Sequence, residues 1–183
     1  MSQQQEKRKA ELARALRSLL KHDAIEKITI EKICQEAGVH RSTFYRYFQD
    51  KYDLLHYSFD EFLIARIDEN HVIESTISMI AEDKALFRNV SINNEKFSLF
   101  EIMLEMVSQH LLAGASAGRL HDIEWVEQLI VHSKYPKLTS EMVAGAILTG
   151  LLQWINSNYQ MDVSEISDFI RNLQKFSDSQ ARN

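Results

Sequence analysis

Between His40 and Phe48 the chain reads HRSTFYRYF. Arg41, Ser42, Thr43, Tyr45, Arg46 and Tyr47 all carry hydrogen-bond donors, and no carboxylate interrupts them. Guanidinium, hydroxyl and phenol groups on one short surface suit phosphate oxygens and base edges, whereas a carboxylate there would be repelled by phosphates. Phe44 and Phe48, four apart, supply an apolar stripe that turns inward if the segment is helical. The chemistry these residues offer is recognition. No bond-making apparatus stands elsewhere: there is no Gly-rich phosphate loop and no nucleophile elbow. The seven histidines are read as forming no HxxxH or HxxE pair at ligand spacing on one helix, so no zinc site is expected. The expectation is a protein with no catalytic residues, no metal and no cofactor, hence not an enzyme.

The neighbouring residues show how such a surface would be held. Ile30, Ile33, Cys34 and Ala37 fall on one helical face, which predicts a helix from Thr29 to about Ala37. Thr29 can accept from its first amides, and Glu31 sits near its positive end. Gly38 supplies the left-handed residue that ends a helix. The donor-rich helix then runs from Arg41 to about Phe48, and so short a connection forces a steep crossing, the helix-turn-helix arrangement. Asp50 can cap a further helix whose first turn contains Lys51. A cation there opposes the helix dipole, which makes sense if a phosphate lies opposite.

ITIEKICQEAGVHRSTFYRYFQDKYDLL, residues 28–55, resembles the DNA-binding signature of the tetracycline-repressor (TetR) family of bacterial transcription regulators. The AG turn, the T-F-Y-R-Y-F core and the D-K-x-D-L-L start of the next helix stand in register with it. One departure is His40, where Ser or Asn usually caps the recognition helix. The resemblance implies that Thr29, Thr43, Tyr45 and Lys51 hold phosphates. Arg41, Ser42 and Tyr47 are placed for base edges, and Arg46 for either. It also implies a homodimer on double-stranded DNA with a palindromic operator, a small-molecule effector, and repression as the default sign. A structural or cell-division DNA-binding factor on the same fold, or a coactivator, with no small ligand, is the alternative.

Composition agrees with a soluble all-α chain: 45% of residues are apolar and 26% charged, with one proline and five glycines in 183. No run of about 18 apolar residues predicts a membrane span. The polar start MSQQQEKRKAE does not read as a signal peptide. The lone Cys34, on the inward face of its helix, reads as a small core plug and fits a reducing cytoplasm. Net charge is −5, but unevenly spread. Residues 1–52 hold eleven Lys and Arg against seven Asp and Glu, net +4; the rest hold ten against nineteen, net −9. A basic head on an acidic body predicts a nucleic-acid module carrying a separate regulatory domain; the resemblance makes these a DNA-binding domain over 1–52 and a ligand-sensing and dimerising domain over 53–183.

Along the head, residues 1–22 read as a helix with Leu12, Leu16, Leu19 and Leu20 inward, and Ile25 and Ile28 close its core. The helix capped by Asp50 is expected to run to about Asp68 with Leu55, Phe59, Phe62 and Leu63 inward. Its resemblance to the family gives it the part of a lever from head to body. Further helices are expected over 72–80, 84–90, 95–112 and 120–131, with Asn89, Asn93 and Asn94 as polar breaks and GASAG (114–118) as a flexible connection. Pro136 is expected to stop any helix around it, and Thr139 to cap the next.

Two C-terminal helices follow. Val143, Ile147, Gly150, Leu151 and Trp154 make a seam on the first; Ile166, Phe169, Ile170 and Leu173 line the second. By resemblance this pair is the dimer interface; it also reads as a hairpin within one chain. Met103, Met106, His110, Trp125 and Tyr135 read either as the lining of a ligand pocket or as ordinary core.

Overall fold

The computed structural model describes residues 3–62, 64–68, 70–91 and 98–173. Leu63, Asn93, Asn94 and Glu95, which figure in the sequence reading, lie outside them. The described residues form α-helices, short 3-10 turns and connections, with no strand among them. They divide into two compact units, Met1–Arg66 with Asp83–Leu99, and Ile67–Glu82 with Phe100–Asn183.

In the first unit α1 (Gln3–Leu20) buries Leu12, Ala13, Ala15, Leu16 and Leu20, the stripe that helical spacing predicts. A 3-10 turn over Ile25–Lys27 follows, and Ile25 and Ile28 are both fully buried. Next come α2 (Ile30–Glu36), α3 (Arg41–Tyr47) and α4 (Lys51–Phe62). Thr29 caps α2 by accepting from the amide of Lys32 at 3.2 Å. At the other end Gly38 takes φ +63, while the amide of Val39 reaches the carbonyl of Cys34 and that of Gly38 the carbonyl of Gln35. These two bonds satisfy carbonyls that the helix leaves open, and the positive φ is the reason for glycine. Asp50 opens α4, its Oδ1 accepting from the amides of Tyr52 and Asp53.

α4 is shorter than the sequence reading expects. It ends at Phe62, and a 3-10 turn stands at Ile64–Arg66. Downstream, Asp68 Oδ1 takes the amide of Asn70. Such local side-chain bonds compete with a continuing helix. The lever part given to this helix is therefore not supported by its length.

The first unit is completed from far along the sequence. α6 (Lys84–Ser91) packs on α1, burying Leu86, Phe87 and Val90. Phe87 meets Phe59 edge-on, with ring centroids 6.5 Å apart. Asp83, just before α6, faces both Arg17 and Lys21 of α1.

The second unit holds α5 (Val72–Glu82), α7 (Ser98–Ser116), α8 (Glu124–Val131), α9 (Pro136–Asn156) and α10 (Val163–Arg171). α7 passes beyond Leu112 into the expected flexible run. Gly114 is helical there because a Cβ would lie 2.8 Å from Leu120 Cδ2, so the missing side chain admits Leu120. The helix ends at Ser116, and Gly118 turns the chain just beyond it at φ +65, with the amide of Arg119 on the carbonyl of Gly114. Pro136 starts a helix instead of only stopping one: it occupies the first turn of α9, where its missing N–H costs nothing. Thr139 is therefore inside the helix, and its hydroxyl contacts Ser133 and the Tyr135 carbonyl instead of capping. Asp162 and Glu165 form a reciprocal capping box at the start of α10.

Candidate nucleic-acid interface

The recognition surface is assembled on α3. Phe44 is fully buried and Phe48 nearly so, their rings 5.9 Å apart; Phe48 in turn packs on Tyr57 of α4. With these two rings fixed inward, Arg41, Ser42, Tyr45 and Arg46 are exposed, and Thr43 and Tyr47 are half-buried. The first turn of α3 contains no acid. Tyr45 leans edge-on against Phe44, and its hydroxyl accepts from Arg41 Nη2 at 3.2 Å. The guanidinium also lies over the Tyr45 ring, 5.6 Å from its centroid. Two contacts thus hold a long side chain that would otherwise be mobile, and its charge stays in water. His40, at the cap position, makes no side-chain bond to the helix, in keeping with its weak capping ability.

Cys34 lies under this surface. Burial pushes its thiol above the ordinary cysteine range, with Arg41 acting weakly in the opposite direction. A raised pKa keeps the sulfur protonated, which suits the plug reading. Thr29 is exposed at the start of α2; its Oγ1 accepts within the cap, so its hydroxyl hydrogen can donate outward.

Lys51 is placed differently from the rest. Its ammonium points into the head and donates to the carbonyls of Ile25, Glu26 and Ile28 at 2.7, 3.1 and 3.0 Å. The cation at the start of α4 is thus compensated by carbonyl oxygens, where the sequence suggested a phosphate. Sequence spacing gives no sign of this, because the acceptors lie more than twenty residues upstream.

Residues 12–57 match the family model for bacterial regulatory proteins of the tetR family. The head is a TetR-family helix-turn-helix. No curated protein matches this chain. Among solved structures, one similar to it is the "Dihydroxyacetone kinase operon activator DhaS". The TM-score is 0.58 and the identity 19%, over 91% of this chain and 93% of that one. At that identity the likeness is one of fold. It covers nearly the whole chain, whereas the family match covers the head alone.

Beyond the TetR head, the predicted pocket residues are not brought together. Met103, Met106 and His110 follow one another along α7, where Met106 is buried and His110 Nδ1 meets the Met106 carbonyl at 2.8 Å. Tyr135 is 60% exposed. Only Trp125 of the five lines the open groove of about 950 Å³ in the second unit, with Asp122, Glu124, His132, Thr139 and Arg171 among its walls. Trp125 Nε1 and Asp122 Oδ1 are buried there without a hydrogen-bond partner, while Asp122 Oδ2 holds the amide of Ile73. His71 with Glu74 and His121 with Glu124 do stand at His-x-x-Glu spacing, where the sequence reading expected no such pair on one helix; each histidine lies outside the α-helix that carries its glutamate. Glu74 is taken by Arg171 at 2.7 Å, and no cluster of three metal-ligating side chains gathers among the described residues.

The predicted dimer residues also separate. Val143, Leu151, Trp154, Ile166 and Ile170 are buried within the one chain. Trp154 is held further by a bond from Nε1 to the Met161 carbonyl and by an edge-on contact with Tyr159. That part of the seam is buried inside the second unit, where α10 packs chiefly on α5 and α9 on α8. Ile147, Gly150 and Leu173 are half-buried and Phe169 exposed. Phe169 lies against Gly150, where a Cβ would sit 3.8 Å from its ring. The open side of α9 instead shows Leu138, Met142 and Thr149, which the sequence reading did not place in the seam, with Ala146, which it read with Gly145 and Gly150 as a small residue admitting another backbone. α9 is apolar on nearly every side, so periodicity alone cannot choose between its faces.

Proposed function

We propose that this protein is a homodimeric transcription regulator whose α3 enters the major groove of a palindromic operator and which responds to a small molecule. The observation that carries this is the exposed, carboxylate-free donor face of α3, fixed from behind by Phe44 and Phe48. Arg41, Ser42 and Tyr47 read base edges; Thr29, Thr43 and Tyr45 hold phosphates, and Arg46 serves either role. Two such helices related by a two-fold axis fit half-sites about 34 Å apart, one turn of the duplex.

Dimerisation is read from α9 and α10. A helix apolar all round calls for cover on both sides. α8 and α10 cover one side of α9, and a second copy of the chain is the natural cover for Met142, Ala146, Gly150 and Phe169. By length and composition α9 could also cross a membrane, but a core helix passes the same test, and its buried side is packed within the unit. The reading is of a non-enzymatic, cytoplasmic protein.

The effector reading is supported by the groove at Trp125, among whose lining residues Trp125 and Asp122 each carry a buried polar atom, an indole N–H and a carboxylate oxygen, with no partner in the chain. A ligand that prefers one arrangement of the second unit would change operator affinity by its differential binding energy. Repression is the default sign. Activation is the second reading, favoured by the structural neighbour being an operon activator.

The decisive experiment is selection of bound duplexes from a random pool, followed by a salt titration. An inverted repeat bound by two copies of the chain supports the reading. Absence of binding to any duplex at low salt overturns it.

A further inference from the structure

We infer that Lys51 is a positioning residue for the recognition helix, acting inside the head, and not one of the phosphate contacts. The inference rests on the DNA-binding reading above for its consequence, but its geometry stands apart from that reading.

An ammonium group has three N–H donors and no acceptor. Here three carbonyls converge on it, those of Ile25, Glu26 and Ile28, all within 3.1 Å. They belong to the 3-10 turn Ile25–Lys27 and its cap. The end of such a turn leaves carbonyls open and carries partial negative charge, so it is a fitting site for a cation. The same ammonium also lies 5.4 Å from the centroid of the Tyr52 ring. Each side of this clamp has a purpose. Ile25 and Ile28 are fully buried core residues, and Thr29, next in sequence, caps α2. Lys51 itself opens α4, against which Phe48 at the end of α3 is packed through Tyr57. The clamp therefore fixes the start of α2 relative to the helix that backs α3. In this way one side chain sets the angle at which the donor face is presented.

Removing the donors at nearly constant length, as in Lys51→Met, takes the ammonium from all three carbonyls, of which that of Ile25 keeps the amide of Ile28, and leaves the angle less defined. At a temperature where the variant is fully folded, affinity for the selected operator should fall roughly tenfold or more, the scale of losing a well-placed base contact. Affinity for a random duplex of equal length should hold, and so should the slope of log K against log salt. Lys51→Arg should not restore the operator affinity, because a planar fork cannot meet three converging carbonyls as an ammonium does.

If Lys51 instead held a phosphate, both affinities would fall together, the slope would shrink by about 0.9, and arginine would rescue. A purely stabilising role would lower the melting temperature and leave both affinities of the folded protein unchanged. Either result overturns the proposal. One measurement needs no DNA: a through-hydrogen-bond NMR coupling from Lys51 Nζ to the carbonyl carbons of Ile25, Glu26 or Ile28 in the wild-type chain. Its presence supports the clamp even if no duplex binds, and its absence sinks the clamp even if the operator is found.

Discussion

Asn89 Nδ2 donates to the carbonyl oxygen of Leu20 at 2.9 Å, across 69 positions of sequence. Leu20 is the last residue of α1, so its carbonyl is one of those the helix cannot satisfy itself. The bond joins α6 to the end of α1, beside the place where Asp83 faces Arg17 and Lys21. A segment that the sequence puts far from the helix-turn-helix is thereby part of the same unit. Asn89→Ala should cost about 1 kcal/mol, the usual net worth of one such hydrogen bond. Amide exchange in α1 and α6 should speed up together, while α9 stays protected. Unchanged protection of α6 would show that the bond is not what holds it.

On α3 the pairing of Arg41 with Tyr45 makes a second expectation. Arg41→Ala should weaken operator binding by about 1–3 kcal/mol and relax preference at one base position if the guanidinium reads guanine. Tyr45→Phe removes the oxygen that steadies Arg41 and, with it, the phosphate contact proposed for that hydroxyl. Its effect should be smaller and should not alter base preference. A footprint and an affinity unmoved by both changes would exclude this face as the reading surface.

The parts of this protein that are legible in its sequence are those governed by local rules. Thr29 and Asp50 cap, Gly38 terminates, and Phe44 with Phe48 choose which side of α3 turns inward; each acts within a few residues of itself. The rest depends on partners that spacing cannot supply. Lys51 looks like a surface cation until the carbonyls of residues 25–28 fold beneath it. Gly114 reads as a flexible joint until Leu120 is seen filling the space a Cβ would take. Pro136 reads as a helix breaker, yet with no N–H needed in a first turn it opens α9, while α8 has already ended at Val131. The faces of α9 are illegible for a simpler reason, since a helix apolar all round has no moment to read.

Gly114 gives a sharp stability test. Alanine is the better helix former by up to about 1 kcal/mol. Yet its Cβ would meet Leu120 Cδ2 at 2.8 Å and Cγ at 3.2 Å, and overpacking of this kind costs about 1–3 kcal/mol. Gly114→Ala should therefore destabilise the second unit, and Gly114→Ala with Leu120→Val should recover part of the loss. A stabilised single variant in urea unfolding would mean that Leu120 moves aside freely.

The second unit should also respond to acid. Arg171, through a hydrogen bond and its charge, holds the Glu74 carboxyl below the ordinary glutamate range and so ties α10 to α5. For a carboxyl whose folded pKa is depressed, the contribution to stability is complete above the ordinary range. It disappears as the pH falls through the lower, folded value. Because the pair is exposed, salt should screen it. Titrating Glu74 by NMR should give a midpoint under that of an unpaired glutamate, moving back up in Arg171→Gln. An unshifted midpoint in the wild type would remove the tie.

Met142 provides the test of the proposed dimer. It is 69% exposed on α9, so a charge there costs an isolated chain little, since surface changes of this kind usually stay within about 0.5 kcal/mol. In an interface between two copies the same charge would be buried without a partner, at a cost of several kcal/mol. Met142→Asp should thus leave the fold and melting of the second unit intact, while sedimentation shows a monomer at concentrations where the wild type is a dimer. Operator affinity should fall with it, because each monomer retains only one half-site's worth of contacts. A Met142→Asp protein that remains dimeric would place the two-fold contact on another face of the molecule.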